Sequence, residues 1–187
     1  MKRMLLAAAA AAVLLSGCAP SGREPDNLAL VRVLGVDGAS PVELTAVCGG
    51  TDQRDGSRGA CVGETFGQAR ERLPWSGENE LALTSVSYLL VGRDADLEAV
   101  LFAVLEDAEL GASAKVWLAG SGAKETLALC RDPASDLELL SRQGIGAPTV
   151  AQALASLSTE GKVILPVAEQ SGGRLIWRGE ELWKTSG

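Results

Sequence analysis

The densest apolar pattern in the chain lies between Leu81 and Leu129. Leu81–Val91 (LALTSVSYLLV) is rich in β-branched and large apolar residues and predicts a strand closed by Gly92-Arg93-Asp94. Beyond it Leu97, Val100, Leu101, Val104 and Leu105 fall at helical spacing, with Asp94 as the expected cap and Gly111 as the expected terminating glycine. Ala114–Ala119 (AKVWLA) predicts a second strand, and Gly120-Ser121-Gly122 turns into a helix carrying Leu127 and Leu129. Strands alternating with amphipathic helices point to a mixed or parallel sheet with helices against it.

The flanking pattern extends the same architecture. Leu28–Val36 predicts a strand ending in the turn signal Asp37-Gly38, with Val42–Cys48 as its partner. Gly49–Gly59 is a polar, glycine-rich loop, and Ala60–Gly63 reads as a further strand. Thr65 caps a short helix with Phe66, Ala69 and Leu73 on one face, stopped by Pro74. After a break at Asp132-Pro133, a helix is expected over Ser135–Gln143. A second opens at Pro148-Thr149, buries Val150, Ala153, Leu154 and Leu157, and ends at Gly161. Lys162–Val167 predicts a strand whose Pro166 marks its end at a sheet edge. Short strands follow at Arg174–Trp177 and Gly179–Trp183. The fold class expected is α+β: one domain, a mixed sheet packed with helices.

The N-terminus carries an address rather than a fold. Lys2 and Arg3 precede an apolar run, Met4–Leu15, too short to span a bilayer, which meets Leu15-Ser16-Gly17-Cys18. This resembles a bacterial lipoprotein signal, in which residues 1–17 are removed and Cys18 receives a diacylglyceryl group. Residues 18–27 are then a tether, 28–170 the domain and 171–187 a C-terminal stub. The net charge is −7, and losing the cations Lys2 and Arg3 takes it to −9. Such a balance argues against nucleic acid, whose phosphates require clustered Lys and Arg. The chain has no histidine, which excludes histidine triads, histidine general bases and the commonest metal ligand.

Several of these residues also carry a resemblance. Leu28, Ala29, Val31, Gly35, Val36 and Asp37, then Val42–Val47, Gly63–Phe66 and Ala69, Gly92, Asp107 and Glu109, and finally Gly120, Ser121, Ala123, Lys124, Glu125 and Leu127 stand in the order and context found in the N-terminal domain of the Ger(x)C spore-germination lipoproteins. The chain departs from that pattern at Glu106, at Ala19-Pro20 and in lacking a histidine within Leu81–Val91. The resemblance covers nearly all of the mature chain and about half of the family's architecture. It implies a non-enzymatic, lipid-anchored subunit of a nutrient-germinant receptor on the extracytoplasmic face of the inner spore membrane. Such a subunit works beside integral membrane receptor subunits and takes no cofactor. The alternative is an envelope lipoprotein that binds a solute or the cell wall through the same domain.

Candidate chemistry is sparse. Ser121-Gly122-Ala123-Lys124 matches the SxxK of penicillin-binding acyltransferases, but the SDN and KTG elements are missing, so a helix cap at Ser121 or a nearby backbone turn is favoured. The acidic groups Asp94/Asp96, Glu106/Asp107/Glu109 and Glu180/Glu181 lack a spaced calcium loop, and no metal site is expected. Cys48 and Cys61 flank the polar loop; if their strands pair, they either close a disulfide or remain two buried thiols. Cys130 is left over and is expected buried and free. Trp117 lies in an expected core strand, whereas Trp75 and Trp183 are the candidate contacts for a partner.

Overall fold

The structure is a computed structural model and describes residues 28–49, 58–75 and 80–185. It is an α+β fold built on an eight-stranded mixed sheet. The strands are β1 (Leu28–Asp37), β2 (Val42–Cys48), β3 (Arg58–Gly63), β4 (Glu80–Ala82), β5 (Tyr88–Val91), β6 (Lys115–Ala119), β7 (Lys162–Ser171) and β8 (Arg174–Lys184). The helices are α1 (Phe66–Arg72), α2 (Leu97–Glu106), α3 (Ala123–Ala128), α4 (Pro133–Arg142) and α5 (Val150–Glu160). The sheet order is β3-β2-β1-β5-β6-β7-β8, with β4 also paired to β1. Strands β1, β5, β6 and β7 run parallel, β2 and β8 flank them antiparallel, and β3 pairs antiparallel with β2.

Helices cover both faces of the parallel centre, which is why its strands read as unbroken apolar runs instead of alternating. Leu89, Val91, Val116 and Leu118 face one core with Leu97, Leu101 and Val104 of α2 and Val150 and Leu157 of α5. Their neighbours Tyr88, Leu90, Trp117 and Ala119 face a second core with Leu127 of α3 and Leu137 and Leu140 of α4. Trp117 is fully buried, as its strand position predicts.

The expected strand over Leu81–Val91 is two. Leu28 pairs with Glu80 and Val33 with Tyr88, so the offset along β1 grows by three residues between the two pairings. A 3-10 turn at Leu83–Ser85 takes up the difference and buries Leu83. An apolar run with both ends paired to one strand hides such a turn, because the turn's own apolar residue points inward.

Helix α2 is capped by Asp96, not Asp94: Asp96 Oδ1 accepts from Ala99 N at 3.1 Å. It ends at Glu106, so Gly111 lies in the following loop and does not terminate it. Leu105, expected on the buried side, is exposed. Helix α4 begins at Pro133 with Asp132 as its cap, and α5 carries a full capping box between Thr149 and Gln152.

The two short C-terminal strands are one, and the segment expected as a stub supplies it. β8 pairs with β7 along its length, so residues 171–184 belong to the sheet. β7 runs on to Ser171, and Pro166 sits mid-strand rather than at its end. The edge environment foreseen for it is still present, since β7 meets β6 only at Val167 and Ala168 and has only β8 beside it before that.

Candidate functional site

The C-terminal ends of β1, β5 and β6 converge on the carboxylate of Asp37. This residue closes β1, and the chain then turns at Gly38. Its Oδ1 accepts from Ala123 N at 2.6 Å and its Oδ2 from Lys124 N at 2.7 Å. These are first-turn amides of α3, whose own cap position, Gly122, has no side chain to offer. The cap therefore arrives from a strand far away in the chain. Ser121, the expected cap, instead places its Oγ 3.1 Å from Thr126 Oγ1.

Gly92 follows β5 and fits this arrangement tightly. A Cβ there would stand 2.1 Å from Asp37 Oδ1 and 2.9 Å from Asp94 Oδ1. Gly35 leaves similar room for Leu127 against β1. Asp37, Gly92, Ala123 and Lys124, four of the residues that carry the resemblance, thus meet at one knot. Burial pushes the Asp37 carboxyl above the usual carboxylate range. The amides of Lys124 and Ala123 oppose that rise, and the nearby Asp94 and Glu43 add to it.

The knot lies where open parallel sheets commonly hold ligands, outside the carboxyl ends of the strands. Here the amides that would receive an anion already hold Asp37. Nor does Lys124 approach Ser121: its Nζ lies 2.5 Å from Glu43 Oε1, and Glu43 is the register partner of Asp37 across β1 and β2. The serine and lysine of the SxxK pattern therefore face different partners.

The cysteines need one correction. β2 and β3 do pair, but the register sets Cys61 opposite Leu44, four residues from Cys48. At about 3.4 Å per residue that is roughly 13 Å along the strand, beyond the span of a disulfide. Cys48, Cys61 and Cys130 are free thiols. Burial pushes the Cys48 and Cys130 thiols up to about 11, so both stay protonated near neutrality. Cys48 and Cys130 line a cavity of about 610 Å³ with Arg58, whose guanidinium donates to Ala128 O at 3.0 Å and to Cys130 O at the end of α3.

The partner-contact candidates separate. Trp183 is half-buried and lines a cleft of about 280 Å³ with Asp94, Asp96, Leu97, Leu157 and Lys184. Trp75 ends a 3-10 turn, and its side chain lies outside the described residues, as do Cys18, the signal segment and the tether. Trp177, on β8, is 46% accessible among the described residues. Its place in an apolar RLIW run hides that exposure; the signal available was its position two residues before Gly179. Among the described residues no group of side chains suits a metal ion and no helix is long and apolar enough to cross a membrane. No family model, no curated protein and no solved structure matches this chain.

Proposed function

We propose that the chain is a non-enzymatic interaction module held at a membrane surface by a diacylglyceryl group on Cys18. Its most specific form is a germinant-receptor lipoprotein subunit on the extracytoplasmic face of the inner spore membrane, acting by contacts with integral membrane receptor subunits. The observation that carries this reading is the use made of the reactive groups at the strand ends. Asp37 holds helix amides, Ser121 holds Thr126 and Lys124 holds Glu43, so each is committed to holding the fold together. The Ger(x)C resemblance, carried in part by residues that meet at this knot, supplies the receptor context, and the lipoprotein-like signal supplies the anchor.

The test is affinity capture of a tagged copy from solubilised spore membranes, with mass spectrometry of the co-purifying proteins and of the N-terminal peptide. The reading expects two integral membrane subunits and a lipid adduct on Cys18. It also expects slowed germination in nutrient, but not with a receptor-independent trigger, when the gene is deleted. A protein absent from spores, or recovered alone from vegetative membranes, sinks the receptor role and favours an envelope lipoprotein that binds a solute or the cell wall.

A further inference from the structure

The outer edge of β8 combines features that seldom occur together. β8 is the last strand of the sheet, so among the described residues one side of its backbone has no neighbouring strand. Its first outward amide, Leu175 N, donates to Asp136 Oδ2 at 2.8 Å, and Arg174 Nε donates to Asp136 Oδ1 at 2.9 Å. Helix α4 thereby covers the start of the edge. From Ile176 to Lys184, no hydrogen bond from an element other than β7 reaches the backbone among the described residues.

The open part also carries large apolar side chains. Trp177 is 46% exposed, Leu182 48% and, beside it on β7, Ile164 56%. Trp177 pairs with Ala168 and Leu182 with Ile164. Ala168 and Ile164 are four residues apart on β7 and so share a face. Trp177 and Leu182 are five apart, and in a regular strand they would point to opposite faces. The register shift between Val167 and Ala168 leaves β8 one residue longer there, at Arg178, followed by Gly179 with φ +128°. That bulge returns Leu182 to the face of Trp177.

We propose that this edge pairs antiparallel with the same edge of a second copy, about a two-fold axis between Gly179 and Glu180. In that register Trp177 stands opposite Leu182 of the partner subunit, Ile176 opposite Trp183 of the partner subunit, and Arg178 opposite Glu181 of the partner subunit. Symmetry makes each pairing occur twice. Apolar side chains meet apolar ones on both faces, and opposite charges meet beside the axis. Arg178 and Glu181 already hold Glu169 and Arg93 at the surface, so the crossing pairs extend existing ion pairs. A bulge commonly blunts an edge; here it lets the two flanks of the strand match when reversed, 176–177 against 182–183, with 178–181 outside the regular ladder. A second copy uses such a match, and an unrelated extended segment does not. The inference is independent of the receptor role.

The test uses the full-length protein in detergent. Trp177→Cys/Leu182→Cys under mild oxidation is expected to give a covalent dimer, reversed by thiol, well above the parent chain's background. The two cysteines are about 13 Å apart along one strand, because the bulge takes up one residue, and cannot close on each other. Phe102→Cys/Leu105→Cys, an equally exposed apolar pair on α2, is expected to stay at background. In sedimentation, Leu182→Glu is expected to raise the dimer dissociation constant about tenfold, since two cross-strand pairs are lost at once. Equal cross-linking of both cysteine pairs, cross-linking of neither, or a strictly monomeric mass at the highest soluble concentration overturns the proposal.

Discussion

Two half-buried aspartates at opposite places in the fold do similar work and titrate in opposite directions. Asp37 accepts from Ala123 N at 2.6 Å and Lys124 N at 2.7 Å. Asp107, just past α2, accepts from Glu109 N at 2.8 Å and Leu110 N at 3.2 Å, and also from Arg70 Nε of α1 at 2.6 Å. Burial pushes both carboxyls up. At Asp107 the Arg70 guanidinium and the two amides outweigh it and hold the group below the usual range. At Asp37 the amides do not, and Asp94 and Glu43 add like charge. Two backbone donors therefore do not offset burial among other carboxylates, whereas two donors and a guanidinium do.

The comparison is broken most severely from the Arg70 side. Asp107→Ala leaves a guanidinium with 19% side-chain exposure facing only the more exposed Glu109, and strips two amides of their acceptor. We expect a loss of about 3 kcal/mol in denaturant unfolding. The double variant Arg70→Met/Asp107→Ala is expected to recover part of it, because no unpaired charge is left buried. A double variant no better than Asp107→Ala would show that the amides, not the ion pair, carry the effect.

Next comes Gly92→Ala. Its methyl would overlap Asp37 Oδ1 at 2.1 Å, so Asp37 must leave the amides of α3. A loss of about 2 kcal/mol is expected, with α3 losing amide protection in hydrogen exchange before the sheet does. Unchanged protection of Ala123 and Lys124 would mean the knot relaxes without releasing Asp37.

Acid titration sharpens the comparison without large losses. Asp37 has a folded pKa above its unfolded value, so its contribution is fully present below the unfolded pKa and is lost as pH rises through the folded one. Asp107 has a folded pKa below its unfolded value, so its contribution is present above the unfolded pKa and is lost as pH falls through the folded one. Unfolding of Asp37→Asn and Asp107→Asn beside the parent, between about pH 3 and 7 around the ordinary carboxylate pKa, is expected to show opposite slopes. The parent's advantage over Asp37→Asn shrinks as pH rises, and its advantage over Asp107→Asn grows. Parallel slopes would refute the contrast.

How legible these features were depended on how local they are. Thr65, Thr149 and Gly161 act on the helices beside them, and the pattern placed them correctly. Asp37 read only as a turn residue, because the helix it caps begins 86 positions later. The disulfide expectation failed for a related reason: pairing of β2 and β3 was legible, but its register was not, and register decides which cysteine meets what. On β8 the bulge broke the period-two pattern at Gly179, so one strand read as two and the exposure of Trp177 stayed hidden.

The smallest expected effect settles what the serine–lysine spacing is for. Lys124 is 55% exposed and holds Glu43, and it meets Asp37 through its backbone amide rather than its side chain. Lys124→Ala keeps that amide, so the knot should survive with no measurable change in the unfolding midpoint, as for most exposed ion pairs. Ser121→Ala should be nearly as mild, since only the contact with Thr126 is lost. If Ser121 were an activated nucleophile, a fluorophosphonate or β-lactam probe would label the parent and fail on either variant. We expect no labelling in any of the three, whereas parent-only labelling would turn a helix start held by Asp37 into a catalytic one.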